Sequence, residues 1–407
     1  MSATGSQKAL AWSVPLFAEA IALGRSILLA RFIGAEELGQ AIVLAVVLRF
    51  AEMMSDFGLE RLLVQAHDGD EADLQANLQG AALLRAIGLC GLLMVASPLL
   101  SAVFPDGPSV FSYMLLALVP LIKGGLHLDY RRAERRFEYR GLAYVETGAA
   151  IAMLAGLAVA LTAGFQDHRV LLGALLVHAC TQVALSHFVA KRRWNVSFQI
   201  SYLMRIWIFG APLVVNAGLM FLTLQADRLI VAVAWSWQDV AVYGITAQLA
   251  FLPALIFGRA ANSLLLPKFS ATSVHNQEPL LTRVVTHSAG AGCLFALAFT
   301  LVAPTAIGWI YGDEIVPAAA LALVFGIAAG ARIARTPWSV LAVATARTGD
   351  TARANLIRAA ALVPAVACAF SGQSIVIFAL CAACGEIAAW VAGWWLFKRN
   401  NFKEVLV

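Results

Sequence analysis

A chain of 407 residues with 61% hydrophobic content, only 13% charged residues and a mean hydropathy of +0.79 is too apolar to keep a wetted surface, so its outer face must meet lipid. The formal net charge of +5 does not indicate nucleic acid, because Lys and Arg cluster beside apolar ends, where they serve as topology signals and contacts to anionic lipid, rather than forming a basic face. At about 20 apolar residues per helical span, the length supplies about twelve spans and leaves no room for a soluble catalytic domain.

Continuously apolar stretches such as 148–161 and 318–331 lack the alternation of a barrel strand, so the class is all-α. In chain order the spans are expected at 9–32, 36–64, 78–104, 109–128, 142–164, 169–190, 204–233, 240–266, 284–310, 316–343, 353–371 and 374–397. The first apolar stretch is longer than a signal peptide's and has no small-residue cleavage site, so it is read as a retained span. Two of these, 36–64 and 204–233, carry charges that depress their hydropathy. Cys90, Cys180, Cys293, Cys368, Cys381 and Cys384 all lie in apolar segments, where even the C-x-x-C at Cys381 and Cys384 is read as helix packing.

With the N-terminus inside, one set of loops holds Lys123, Arg131, Arg132, Arg135, Arg136 and Arg140, then Lys191, Arg192 and Arg193, then Lys268 and Arg283, then Arg347 and Arg353, and the C-terminal tail adds Lys398, Arg399 and Lys403. The opposite loops (34–39, 104–108, 164–169, 235–240, 311–317 and 371–374) offer Arg169 as their one clear cation. That is the positive-inside pattern, and it places both termini in the cytoplasm. The acidic run Asp68, Asp70, Glu71 and Asp73 falls on the inside and is read as a solvated loop without calcium-loop spacing.

The halves echo each other. Gly34-Ala35-Glu36-Glu37-Leu38-Gly39 after the first span is matched by Gln238-Asp239-Val240-Ala241-Val242-Tyr243-Gly244 after the seventh, and Phe104-Pro105-Asp106-Gly107-Pro108 by Tyr311-Gly312-Asp313-Glu314. Two six-helix bundles, 1–200 and 201–407, related by an axis along the membrane normal, are therefore expected.

A charge in mid-span costs roughly 2.5–3.5 kcal/mol even on the lenient insertion scale, so each one here is a site hypothesis. Arg49, Glu52, Asp56 and Glu60 follow offsets of 3, 4 and 4 along one face of span two. Asn216, Thr223 and Asp227 do so on span seven, and Gln248 and Arg259 point nearly the same way on span eight, while span one adds Glu19 and Arg25. Two readings stay open. These groups can be structural ion pairs, Arg49 with Glu52 or Glu19 and Asp227 with Arg228 or Arg259. Alternatively Arg25, Arg49 and Arg259, with Gln248 and Asn216, grip an anionic head such as a polyprenyl pyrophosphate, since guanidinium forks match phosphate oxygens. Asp56, Asp227 and Glu52 are then candidates to bind H+ or Na+ and couple a gradient, because no G-x-x-x-x-G-K-[ST] for ATP is present. His178, Thr181 and Gln182, together with Glu146, Arg332 and Glu386, are read as structural.

Leu28-Leu29-Ala30-Arg31-Phe32-Ile33-Gly34-Ala35-Glu36-Glu37-Leu38-Gly39, Ser55-Asp56-Phe57-Gly58-Leu59, Gln225-Ala226-Asp227-Arg228-Leu229-Ile230-Val231 and Tyr311-Gly312-Asp313-Glu314-Ile315-Val316-Pro317 together resemble the polysaccharide biosynthesis (Wzx-type oligosaccharide flippase) family of the MOP superfamily. The resemblance implies a twelve-helix, MATE-like, V-shaped, two-lobed flippase of the bacterial cytoplasmic (inner) membrane. It would move undecaprenyl-pyrophosphate-linked repeat units outward by alternating access, with membrane lipids and other polysaccharide-assembly proteins as partners and no cofactor. Superfamily members that flip peptidoglycan precursor use cavity arginines on spans one, two and eight, the spans that hold Arg25, Arg49 and Arg259 here. A cation-coupled multidrug antiporter of the same superfamily is the first rival, which cleft arginines disfavour. A membrane enzyme of polysaccharide assembly is the second, and the short outside loops argue against it; a scaffold would have no use for four polar stripes.

Overall fold

A computed structural model describes the backbone over residues 5–272, 274–345 and 347–404. Every described regular element is helical. The chain divides into two compact units, Met1–Phe221 and Leu222–Val407, the division falling inside the seventh span.

In the first unit, α1 (Gly5–Met54) holds spans one and two end to end, broken only at Gly34. There φ is 78° and ψ 171°, a backbone open to glycine alone at little cost, so the turn expected over 34–39 shrinks to one residue and Glu36 and Glu37 already begin the second helix. Span two does not run on to residue 64. It stops at Met54, and a four-residue turn leads through Gly58 (φ 66°) into α2 (Leu59–Gln65). The Asp56 carboxylate accepts the Gly58 N–H at 2.9 Å and so stabilises the break. A β-carbon on Gly58 would sit 2.5 Å from Leu213 Cδ1, so glycine is required there on two counts.

Then follow α3 (Ala72–Val103), α4 (Val110–Lys123), the short α5 (Asp129–Arg132), α6 (Arg140–Thr162), α7 (Arg169–Val189) and α8 (Ile200–Leu224), whose last residues pass into the second unit. The acidic run is exposed at Asp70, Glu71 and Asp73, as expected of a solvated loop, but Asp68 and Asp70 are also tied down. Asp68 receives a bidentate pair from Arg205 at 2.6 and 2.7 Å, and Asp70 is held by Arg132 at 3.0 Å and Arg135 at 3.3 Å. Arg135 also donates to the carbonyls of Leu63, Val64 and Ala66, capping the exposed C-terminus of α2. Basic residues read as topology signals therefore also staple the loops of this face. Their partners lie 60 or more residues away in sequence, where charge counting cannot see them.

The second unit holds α9 (Ala226–Ala234), α10 (Trp237–Ala271), α11 (Val274–Tyr311), α12 (Ala319–Ala344), α13 (Thr348–Ala360), α14 (Leu362–Phe370) and α15 (Ile375–Glu404). Ser236 and Asp239 form a reciprocal capping box that starts α10. α12 is the interior helix, with 61% of its most apolar stretch buried against 17% for α11. The two helices cross at backbone contact, where a β-carbon on Gly330 would lie 2.5 Å from the Gly292 carbonyl oxygen. Gly326 four residues earlier meets Ala296 in the same way, a small-residue seam of the kind that lets membrane helices approach.

Each expected span has a helical counterpart, and among the described residues nine helices are long and apolar enough to cross a membrane. The exceptions are informative: α4 is only 14 residues long, and the two parts of α1 carry the intramembrane charges.

Candidate functional site

The break in span two creates the polar site of the first unit. Because the helix ends at Met54, Asp56 and Glu60 do not continue the face of Arg49 and Glu52 as helical spacing predicts. The turn nevertheless brings all four to one cavity of about 340 Å³, together with Arg61 of α2, Arg85 of α3, Lys123 of α4 and Gln182 of α7.

Three of the carboxylates in this region are engaged. Lys123 Nζ lies 2.7 Å from Glu52 Oε1, Arg131 Nε lies 2.9 Å from Glu60 Oε2, and Arg85 Nη1 approaches Asp56 at 3.9 Å. Arg131 is a hub, for it also reaches Glu134 and Glu146, each at 3.1 Å, and Gln182 hydrogen-bonds Glu146 from the far side. Glu146 and Gln182 are thus joined to each other. Among the described residues Arg49 and Arg61 form no ion pair, so neither Glu52 nor Glu19 neutralises Arg49. Their guanidinium charges stand open in a cavity whose anions already have partners.

Arg25 does not line this cavity. It is half-buried on α1, with Nη1 4.0 Å from the Met153 sulfur on α6. His178 links the two regions, lying within electrostatic reach of Lys123, Glu52 and Arg25. Asn216 is exposed on α8, and its side-chain amide is engaged at 3.7 Å with Met220 one turn on.

The second unit has its own break, at Gln225, which separates the end of α8 from α9 and falls between Thr223 and Asp227. The carbonyls freed by the break are met by arginines: Arg358 donates to Thr223 O at 3.1 Å and Arg228 to Leu224 O at 3.2 Å. Irregular backbone at membrane depth is tolerated only with such partners. Asp227 accepts from the Tyr243 hydroxyl at 3.0 Å and from the Arg228 N–H at 2.9 Å. It faces a small cavity of about 50 Å³ lined by Arg228, Arg332, Arg358, Glu386 and the rings of Phe251, Phe325 and Phe378.

Around Glu386 lies the feature that sequence reading missed. This carboxylate of α15 is only 4% exposed, and three arginines converge on it, Arg332 at 2.9 Å, Arg358 at 3.2 Å and Arg335 at 3.8 Å. Arg332 also sits 4.6 Å from the centre of the Phe251 ring, and Arg335 donates to Asn355 at 3.0 Å. A snorkelling Arg332 and an isolated Glu386 are therefore replaced by a buried cluster with more cations than anions. Three intramembrane arginines within reach of one intramembrane glutamate were the available signal. Gln248 and Arg259 are half-buried on α10, and neither lines this cavity.

On the loop face of the first unit the charges are strongly tuned. The hydrogen bond from Arg205 holds Asp68 below the usual carboxylate range, and that from Arg132 does the same for Asp70. Burial would raise Asp129, yet Arg132 at 2.8 Å and the Lys191 N–H at 2.8 Å together keep it low.

Two helical units, each with a broken span that turns arginines and carboxylates into a cavity, define the architecture of a membrane transporter. The same fold occurs in an inward-facing multidrug resistance MATE family transporter of the MOP superfamily (TM-score 0.68, 16% identity, 97% of this chain and 98% of that one covered). It occurs also in the lipid II flippase MurJ in an inward closed conformation (0.74, 14%, 95% and 86%) and in a MOP superfamily transporter from Pyrococcus furiosus (0.56, 14%, 100% and 100%). The profile of the family described as polysaccharide biosynthesis protein matches residues 28–320, and the chain belongs to that family. No curated protein matches the sequence.

Proposed function

We propose that this protein is a flippase that carries a polyprenyl-pyrophosphate-linked oligosaccharide repeat unit from the cytoplasmic to the periplasmic leaflet of a bacterial inner membrane, for surface polysaccharide assembly. The observation that carries the reading is the pair of open guanidinium groups, Arg49 and Arg61, in a cavity whose carboxylates are already engaged. An electropositive pocket with two open guanidinium groups suits a doubly charged phosphate ester and repels cationic drugs. Membership of a polysaccharide biosynthesis family supports the same cargo.

In this reading the halves 1–200 and 201–407 exchange access between the two membrane faces, with both termini in the cytoplasm. Arg25, Arg49 and Arg259 take the pyrophosphate in turn as access changes, and Gln248 and Asn216 meet sugar hydroxyls. Asp56, Glu52 and Asp227 are the carboxylates through which H+ or Na+ would couple the cycle. Each now has a named partner, Arg85, Lys123 and Tyr243, whose release would accompany ion binding.

The test is made in a strain lacking the protein, by measuring surface polymer and undecaprenyl-linked repeat units. Accumulation of the linked repeat unit on the cytoplasmic side, relieved by the native chain and not by Arg49→Ala at equal protein level, is expected. Unchanged polymer with no accumulation would replace this reading with that of a multidrug antiporter.

A further inference from the structure

Away from the cavities above, the first unit has a second basic concavity of about 620 Å³, between the first turn of α6 and the last turn of α7. Its lining includes Arg132, Arg136, Arg140 and Lys191, against Asp129 and Glu138. The two anions are already committed. Asp129 spends both oxygens on Arg132 Nε and the Lys191 N–H, and Glu138 lies 3.3 Å from Arg136. Arg140 and the Lys191 ammonium are exposed and form no ion pair among the described residues. The groove therefore offers two uncompensated cations.

The rest of the groove is aromatic. Tyr144, one turn into α6, is 50% exposed, and Phe188, at the end of α7, is 78% exposed, with ring centres 6.3 Å apart. Large exposed rings at the ends of spanning helices mark the level where headgroups meet acyl chains. Phosphate-binding cations directly beside them match an amphiphile that has both parts.

We propose that this groove is a binding site for an anionic phospholipid, with the phosphate at Arg140 and Lys191 and the upper acyl chains against Tyr144 and Phe188. The site is separate from the transport cavity and does not depend on what cargo is carried. It sits on the loops stapled by Asp129 and Arg132, so a bound lipid would brace that face of the first unit.

The experiment uses the full-length protein purified in detergent and titrated with phosphatidylglycerol, phosphatidylcholine or glycerol 3-phosphate, with bound lipid counted by native mass spectrometry and the melting temperature followed in parallel. Phosphatidylglycerol is expected to bind and raise the melting temperature. Arg140→Gln or Lys191→Gln should each weaken it about fivefold, at roughly one charge contact apiece, and Phe188→Ala should weaken it further. Both cations are exposed, so the variants should melt like the native chain without lipid, and Arg140→Lys should keep the affinity. Equal binding of phosphatidylcholine, or unchanged phosphatidylglycerol affinity in the Arg140→Gln, Lys191→Gln double variant, would overturn the proposal. Glycerol 3-phosphate binding as tightly as the lipid would overturn it too, by showing an anion site with no use for chains.

Discussion

Replacing Glu386 by alanine should strip three arginines of their common anion and make the second unit unfold far more readily. The carboxylate is 4% exposed, and it is the ion-pair partner of Arg332, Arg335 and Arg358, at 2.9, 3.8 and 3.2 Å. Breaking a buried ion pair from one side typically costs about 3–5 kcal/mol, because the charge left behind cannot recover its hydration. Here three charges are left, of which Arg335 and Arg358 are themselves under a tenth exposed, so the upper end of that range applies. For a unit spanning Leu222–Val407 this corresponds to a fall of roughly 10–20 °C in melting temperature, at about 2–4 °C per kcal/mol. Glu386→Gln, which keeps the shape and one acceptor, should fall about half as far. The assay is thermal unfolding in detergent with a thiol-reactive dye, for which the half-buried Cys368 and Cys381 on α14 and α15 are local reporters. An alanine variant that melts within about two degrees of the native protein would refute the reasoning, since three buried arginines would then have to be held without their common anion.

Other outcomes follow from the same geometry. Lys123→Gln should release Glu52 to pair with Arg49 one turn away on the same helix, lowering affinity for a pyrophosphate lipid about tenfold or more, and adding Glu52→Gln should restore it, as a binding titration would show. The Asp68, Asp70 and Asp129 carboxylates are held below their ordinary value, so they contribute stability that is complete above about pH 4 and is lost as pH falls through their depressed pKa values. Pepsin cleavage within residues 130–140 should accordingly rise as pH falls below about 4, whereas Asp129→Ala should open the same segment to trypsin at neutral pH. Gly330→Leu should destabilise the α11–α12 crossing by at least about 1–3 kcal/mol, because even a β-carbon there meets the Gly292 carbonyl; Gly258→Ala, with open space around it, serves as the control for the melting measurement.

The spans were legible because lipid imposes one requirement everywhere, an apolar helix about 20 residues long, and hydropathy records it. What the pattern hid was the pair of breaks. Helical offsets align Asp56 and Glu60 with Arg49, and Asp227 with Asn216, only if spans two and seven stay intact. The chain instead turns at Gly58 and Gln225, stabilised by the Asp56 side chain in one case and by Arg358, over a hundred residues downstream, in the other. Arg49 as an open cation was recoverable from its position in mid-span. Arg61 and Arg85 were not, because near a helix end or at a span boundary an arginine can equally reach water. Of the Glu386 cluster only Arg332 and Glu386 stand out in the sequence, each by itself, since α12, α13 and α15 bring Arg335 and Arg358 to them only in the folded chain. The acidic loop is exposed as its composition suggests, but charge counting could not show that Asp68 and Asp70 are tied down by Arg132, Arg135 and Arg205.

The central claim is most directly tested by reconstituting the purified protein in liposomes with a fluorescent polyprenyl-pyrophosphate oligosaccharide and measuring how fast the labelled lipid crosses between leaflets. The account predicts rapid crossing with the native chain, its loss in the Arg49→Gln, Arg61→Gln double variant, and retention in Arg193→Gln, whose charge lies on an exposed loop. Crossing no faster than in protein-free liposomes, or undiminished in the double variant, would contradict it.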